Sequence, residues 1–371
     1  MGVIRFLLAF AVVGAHVGKI PYHVPLSSLL AVQAFYIISG FLIALVWDNK
    51  YASRPDGLFL FYTNRAARIY LLYWIVLAIS IAVAVGAKLL TRHWVGYFTI
   101  PPHGLALYEI FTNLYIFGSA QAYWLGFDGA LYYTMDYTSS PYPVWRTMTL
   151  GPAWTLELEL TFYLLAPFLV SLRLRTIVAI IAAAFAARFS WYAMGHDVDP
   201  WTYRFFPFEI GLFVLGVASY RISKIIAWWP GQKVLYVIFA LAVGSILGYD
   251  LLGFSQSSFV YLFIFAALIP YLFALTRSWK FDRFLADMSF PLYLAHWPVW
   301  LFIRDFLPVP WPEFPGIVPA LASVLAAAGL VILVERPIER WRQARTAPIG
   351  NTRAAWNPAG AVVAGTISPT E

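Results

Sequence analysis

Ten stretches of mainly apolar residues divide this 371-residue chain, at about 3–20, 28–47, 69–90, 153–172, 176–193, 204–223, 234–252, 258–276, 285–304 and 316–334. Each is close to the roughly 20 residues that an α-helix needs to cross a bilayer. In lipid, only helices and closed barrels satisfy their own backbone hydrogen bonds. Composition points the same way: charged residues make up 12% of the chain and hydrophobic ones 61%, whereas soluble domains carry about 25% charged residues. So few charges cannot cover a water-facing surface, which excludes a soluble enzyme, a nucleic-acid module and a disordered chain. The fold class expected is all-α, a polytopic integral membrane protein of about ten transmembrane helices. Cysteine is absent, so there is no disulfide, thiolate metal site or cysteine nucleophile, and no metal site is expected.

The net charge of +7 is read against topology before partners. With the N-terminus and C-terminus inside and ten crossings, 17 of the 25 basic residues fall in inner loops and 7 lie outside or near outer helix ends, with Arg5 completing the set. That asymmetry is what the positive-inside rule expects, and no nucleic-acid partner is implied. An eleventh apolar stretch, Leu105 to Phe117, is short and carries Glu109 and Asn113. Counting it as a crossing would place 13 of those inner basic residues outside, so it is read as interfacial or re-entrant. The outer segment from Tyr123 to Trp145 is rich in Tyr and Trp, which suits an interfacial belt or a carbohydrate-stacking surface. Residues 1–343 form one transmembrane domain and 344–371 a disordered cytoplasmic tail, from their Pro, Thr, Ala, Asn and Gly mixture. The run from Phe6 to Val13 before Gly14 and Ala15 also has a secretory-signal look, but it is short with a single basic residue ahead of it, so the first helix is expected to be retained.

Ionisable residues inside spanning helices are costly and mark function by default. Arg5 and His16 are eleven positions apart on the first helix, hence on one face and about 16 Å apart along the axis. Arg5 lies near the cytoplasmic surface, where it either grips a negative headgroup or phosphate or simply snorkels. His16 falls in the outer half of the membrane, at the depth of Glu157 and Glu159, so a histidine and a carboxylate are expected to meet as a general-base pair. The two glutamates point about 200° apart on a helix, so only one of them serves that site. Arg65 and Arg68 are placed at the start of the third helix after an inner loop, spaced to clamp a phosphate-bearing cofactor or to act as a stop-transfer anchor. His296 sits before Trp297 and Pro298, where proline permits a kink. Ser39, Gly40 and Phe41 read as close helix packing around small residues.

These pieces together resemble the membrane acyltransferase family 3, from about Ile4 to Arg340. The resemblance is carried by Arg5 and His16 in an arginine, ten-residue, histidine spacing, by the aromatic run into Ser39, Gly40 and Phe41, and by Arg65 and Arg68 as an R-x-x-R element. Trp154, Thr155, Leu156, Glu159, Phe162 and Tyr163 follow its W-S-L-x-x-E-x-x-F-Y stretch, with Thr155 in place of serine and Glu157 as an added carboxylate. Tyr293, Leu294, His296, Trp297 and Pro298 look like its Y-L-x-H-W-P, and Glu335, Arg336 and Pro337 like its closing motif.

The resemblance implies a membrane-bound O-acyltransferase of the bacterial cytoplasmic (inner) membrane. It would carry an acyl group, acetyl by preference, from acyl-CoA to a hydroxyl of an exported or surface carbohydrate or glycolipid such as exopolysaccharide or lipopolysaccharide. It further implies His16 as catalytic residue, supported by Glu159 or Glu157, with Arg5, Arg65 and Arg68 on the acyl-CoA and Ser39, Trp154 and His296 in substrate binding or structural support. No permanently bound cofactor is implied, acetyl-CoA being a substrate. Direct transfer and a transient acyl-histidine both remain open. The competing class is a transporter or flippase for a lipid-linked sugar, which also places ionisable residues at mid-membrane.

Overall fold

A computed structural model of the chain describes residues 1–20, 26–95, 102–226, 229–255, 258–307 and 312–345. Its helices in chain order are α1 Gly2–Val17, α2 Ser28–Lys50, α3 Gly57–Thr91, α4 Ala106–Tyr115, α5 Ala153–Leu169, α6 Leu174–Ala193, α7 Phe206–Ser223, α8 Gln232–Leu247, α9 Phe259–Thr276, α10 Lys280–Phe306, α11 Ile317–Leu330 and α12 Arg336–Arg345. Among the described residues, six helical stretches are long and apolar enough to cross a membrane: α2, α3, α6, α7, α9 and the continuous run Ile317–Arg345. α1 and α8 are apolar but shorter.

Every expected segment falls on a helix, and the short Leu105 to Phe117 stretch forms only the 10-residue α4. Two boundaries differ from expectation. α3 starts at Gly57, so Arg65 and Arg68 lie two to three turns inside the helix, because Leu58 to Tyr62 join its apolar surface instead of forming a loop. At the other end helix persists to Arg345, past the expected tail boundary at 344; residues 346–371 lie outside the described residues. The all-α expectation also misses one small sheet. Strands β1 Leu125–Phe127, β2 Leu131–Tyr133 and β3 Tyr142–Pro143 pair antiparallel in the order β2, β1, β3, within the aromatic stretch between α4 and α5.

The helices touch where small residues permit it. A Cβ on Gly40 of α2 would fall 1.8 Å from the Phe213 carbonyl oxygen of α7, and one on Gly216 of α7 would fall 2.0 Å from the Ile37 oxygen of α2. These reciprocal glycines bring two backbones into contact, the usual route to helix association where lipid removes the hydrophobic drive. Arg188 of α6 ion-pairs with Glu209 of α7 at 2.5 Å, both completely buried, and Gln33 of α2 donates to the same carboxylate at 3.2 Å. α1 lies along α10, and α10 along α11. The starts of α2 and α9 are capped, with Ser27 Oγ accepting from Leu30 N–H and Ser258 Oγ from Tyr261 N–H, which satisfies a backbone donor that the helix itself leaves open.

Candidate active site

α1 carries Arg5 near one end and His16 near the other, and each meets a different part of the molecule. Around Arg5, side chains from α1, α2, α3, α5 and α10 line a cavity of about 100 Å³ that holds Arg65, Arg68, Glu159, Ser39 and Tyr163 together with Tyr293. Three guanidinium groups around one space cost much unless they face a counter-anion or solvent. Arg65 is buried, its guanidinium over the rings of Phe61 and Tyr163 at 6.0 and 5.9 Å. Its Nε has no hydrogen-bond partner among the described residues. The Glu159 carboxylate is held rather than free: Ser39 Oγ donates to Oε1 at 3.1 Å, and the Tyr163 hydroxyl, one turn further along α5, donates to the same oxygen.

At the other end of α1, His16 contacts the backbone and a second histidine. Its Nδ1 lies 2.9 Å from the Val12 carbonyl oxygen and 3.3 Å from Nε2 of His296, whose own Nδ1 lies 3.3 Å from the Leu292 oxygen. A carbonyl only accepts, so each Nδ1 carries the proton. His16 therefore donates from Nδ1 to Val12 and to the lone pair on His296 Nε2, and its own Nε2 is the basic nitrogen. The rings lie 5.2 Å apart, and Trp297 meets His16 edge-on at 5.4 Å. His296 is fully buried, and Pro298 follows in the same helix.

Tyr293 joins the two ends. It lines the arginine cavity, its ring stands 6.0 Å from His296, and its hydroxyl lies 2.7 Å from Thr155 Oγ1, one residue after Trp154. Gly151 closes the other side: a Cβ there would meet the Trp297 ring at 2.8 Å, so the turn before α5 packs directly on the indole beside His16.

The expected contact between His16 and a carboxylate is not formed. Among the described residues neither Glu157 nor Glu159 hydrogen-bonds or ion-pairs with His16, because His296 occupies the Nδ1 side. The two glutamates diverge as their spacing requires. Glu157 is buried on the far face of α5, where Oε2 accepts from the Ala120 N–H at 2.6 Å and from Ser119 Oγ at 3.3 Å. It pins the segment after α4, while Glu159 faces the arginines. Trp154 packs against a further arginine, Arg204, whose guanidinium lies 4.2 Å from the indole and 3.8 Å from the Tyr123 ring. Sequence reasoning placed the nine candidate residues but assigned no role to Tyr163, Tyr293, Gly151 or Arg204. The first two stood in quoted motifs; the last two are recognisable only once distant segments are brought together.

Comparison with known proteins bears on this arrangement. The family model described as "Acyltransferase domain" matches residues 1–335. Nodulation protein 10 of Rhizobium leguminosarum bv. viciae is 26% identical over 339 residues, covering 85% of this chain and 84% of that protein. No solved structure matches.

Proposed function

The chain belongs to the acyltransferase family that matches nearly its whole length, and from that premise we propose that it moves an acyl group, acetyl in the simplest case, from acyl-CoA through the membrane to a hydroxyl of an exported carbohydrate. The observation that carries this reading is the division of α1: Arg5 shares a cavity with Arg65, Arg68 and Glu159, while His16, beyond Tyr293, presents an Nε2 with no hydrogen-bond partner among the described residues. In this reading the bundle crosses ten times with both termini in the cytoplasm of a bacterial inner membrane, which the distribution of basic residues supports.

The phosphates of acyl-CoA then lie against the three guanidiniums, whose planar donors suit them, and the pantetheine arm follows the cavity toward Tyr293. At the far end His16 Nε2 takes the proton of the acceptor hydroxyl as its oxygen attacks the thioester carbonyl. The carbon–sulfur bond breaks, the thiolate leaves, and the imidazolium returns the proton to give free CoA thiol and the ester. The Val12 carbonyl and His296 Nε2 stabilise the imidazolium while it lasts, doing here what a carboxylate does in other general-base pairs. Glu159, held by Ser39 and Tyr163, balances charge among the arginines and makes no hydrogen bond to His16 or His296 among the described residues. A transient acyl group on Nε2 uses the same atoms. Transport of a lipid-linked sugar would leave the thioester chemistry of the family without a role.

The test supplies labelled acetyl-CoA and a membrane glycan extract to the purified protein in proteoliposomes. Label is expected in glycan and lost in His16→Ala at equal folded protein; equal labelling by His16→Ala would remove the catalytic assignment.

A further inference from the structure

A second cavity, of about 460 Å³, opens beside α5, and of the groups described above only Glu157, Ala120 and Arg204 line it. Its volume lies in the range of small-molecule sites, about 300–1,000 Å³. Gln121, Trp124, Tyr133, Glu157, Trp201 and Arg204 are in its wall. Two of these residues carry polar atoms that the protein leaves unsatisfied: Trp124 Nε1 and Arg204 Nη1 have no hydrogen-bond partner among the described residues, although the two side chains are only 9% and 8% exposed. A buried donor left unpaired is costly, and both residues stand in the wall of this cavity, where a turn of the side chain gives each donor an acceptor on a ligand.

The surroundings define the ligand's chemistry. Arg204 is already neutralised, donating from Nε to Asp199 Oδ1 at 2.7 Å and from Nη2 to Oδ2 at 3.2 Å. It is flanked by the Tyr123 and Trp154 rings. The carboxylate of Glu157 adds negative charge to the wall. An anion therefore gains little here, and a cation meets a guanidinium. What fits two N–H donors beside the rings of Trp124, Trp201 and Tyr133 is a neutral, oxygen-rich molecule with apolar faces, which is a sugar. The rings of Trp124 and Trp201 stand 5.4 Å apart, and Tyr133 is largely exposed, so the cavity has an aromatic wall that reaches the surface.

We infer that this cavity is a distal subsite for the acceptor, holding a neutral sugar residue next to the one acylated, with Trp124 Nε1 and Arg204 Nη1 donating to its hydroxyl or ring oxygens. The subsite rests on the acyl-transfer reading for its purpose, and a relay of side-chain contacts links its wall to His296 and so to His16. Arg204 stacks on Trp154, Thr155 bonds Tyr293, and Tyr293 stands beside His296. A saccharide chain gripped here extends past that relay toward His16, which makes Trp124 and Arg204 determinants of which glycan is chosen.

Equilibrium dialysis of the full chain in nanodiscs tests this with tritiated cellotriose, maltotriose, chitotriose and a trigalacturonate. At least one neutral trisaccharide is expected to bind better than the trigalacturonate, and Trp124→Phe, which keeps an aromatic ring and removes one N–H, should weaken it roughly tenfold. Arg204→Lys gives a second reading, with folding checked by melting temperature. The subsite is overturned if no neutral trisaccharide binds the folded wild type, if trigalacturonate binds best, or if folded Trp124→Phe binds as tightly as wild type. Neutral trisaccharide binding that is lost in Trp124→Phe, in a protein that never labels glycan from acetyl-CoA, would leave the subsite standing and overturn the acyl-transfer reading instead.

Discussion

At the scale of single residues, the two glutamates of α5 show how two positions in sequence become two separate jobs. Glu157→Gln keeps an acceptor for the Ala120 N–H but loses its charge, so it should lower stability by about 1–2 kcal/mol while retaining most of the turnover. Glu159→Gln leaves three arginines around one cavity without their carboxylate and should change the KM for acyl-CoA more than the melting temperature. Steady-state kinetics and thermal unfolding of the pair check this, and matching effects from both variants would contradict it. In the proposed mechanism His296 acts through His16 rather than on substrate. His296→Ala should lower kcat by about tenfold, the cost of one lost hydrogen bond to the imidazole. His296→Gln, whose amide oxygen still accepts from Nδ1–H, should recover part of it and shift the pH profile back toward wild type. A wild-type rate and pH profile in His296→Ala would dismiss the dyad.

Elements depend on contacts that one sequence reveals only in part. The small residues Ser39 and Gly40 announce a close approach on α2, but nothing local says that α7 is the neighbour or that Gly216 answers Gly40. Because the built Cβ at either glycine falls within about 2 Å of backbone rather than of a movable side chain, Gly40→Ala and Gly216→Ala should each cost more than about 2 kcal/mol. Thermal unfolding in detergent measures it, and a loss below about 0.5 kcal/mol for both would show that the helices can separate freely. The helices themselves were legible because apolar runs of spanning length are a strong signal. The start of α3 was not, since the residues before Arg65 and Arg68 read as an inner loop until their aromatic side chains are seen to continue the helix. The same limit explains the dyad: periodicity put His16 at the depth of the glutamates, but which side chain fills the space beside Nδ1 depends on how α10 packs against α1.

For the whole molecule, the absence of cysteine makes topology directly measurable, because each introduced thiol is the only one. Asp56→Cys and Arg175→Cys should react with a membrane-impermeant maleimide only from the cytoplasmic side, Tyr133→Cys and Asp197→Cys only from the opposite side. Reaction of Asp56→Cys and Tyr133→Cys from the same side would refute the ten-crossing arrangement. The division of α1 into a donor end and a transfer end makes the same claim in chemical form, and it is tested most directly in oriented proteoliposomes with labelled acetyl-CoA confined to one face and glycan to the other. Label should enter glycan only when acetyl-CoA is on the Arg65 face and glycan on the Tyr133 face, and His16→Ala should abolish it. Transfer with both substrates required on one face, or undiminished in His16→Ala, would contradict passage of the acyl group along α1.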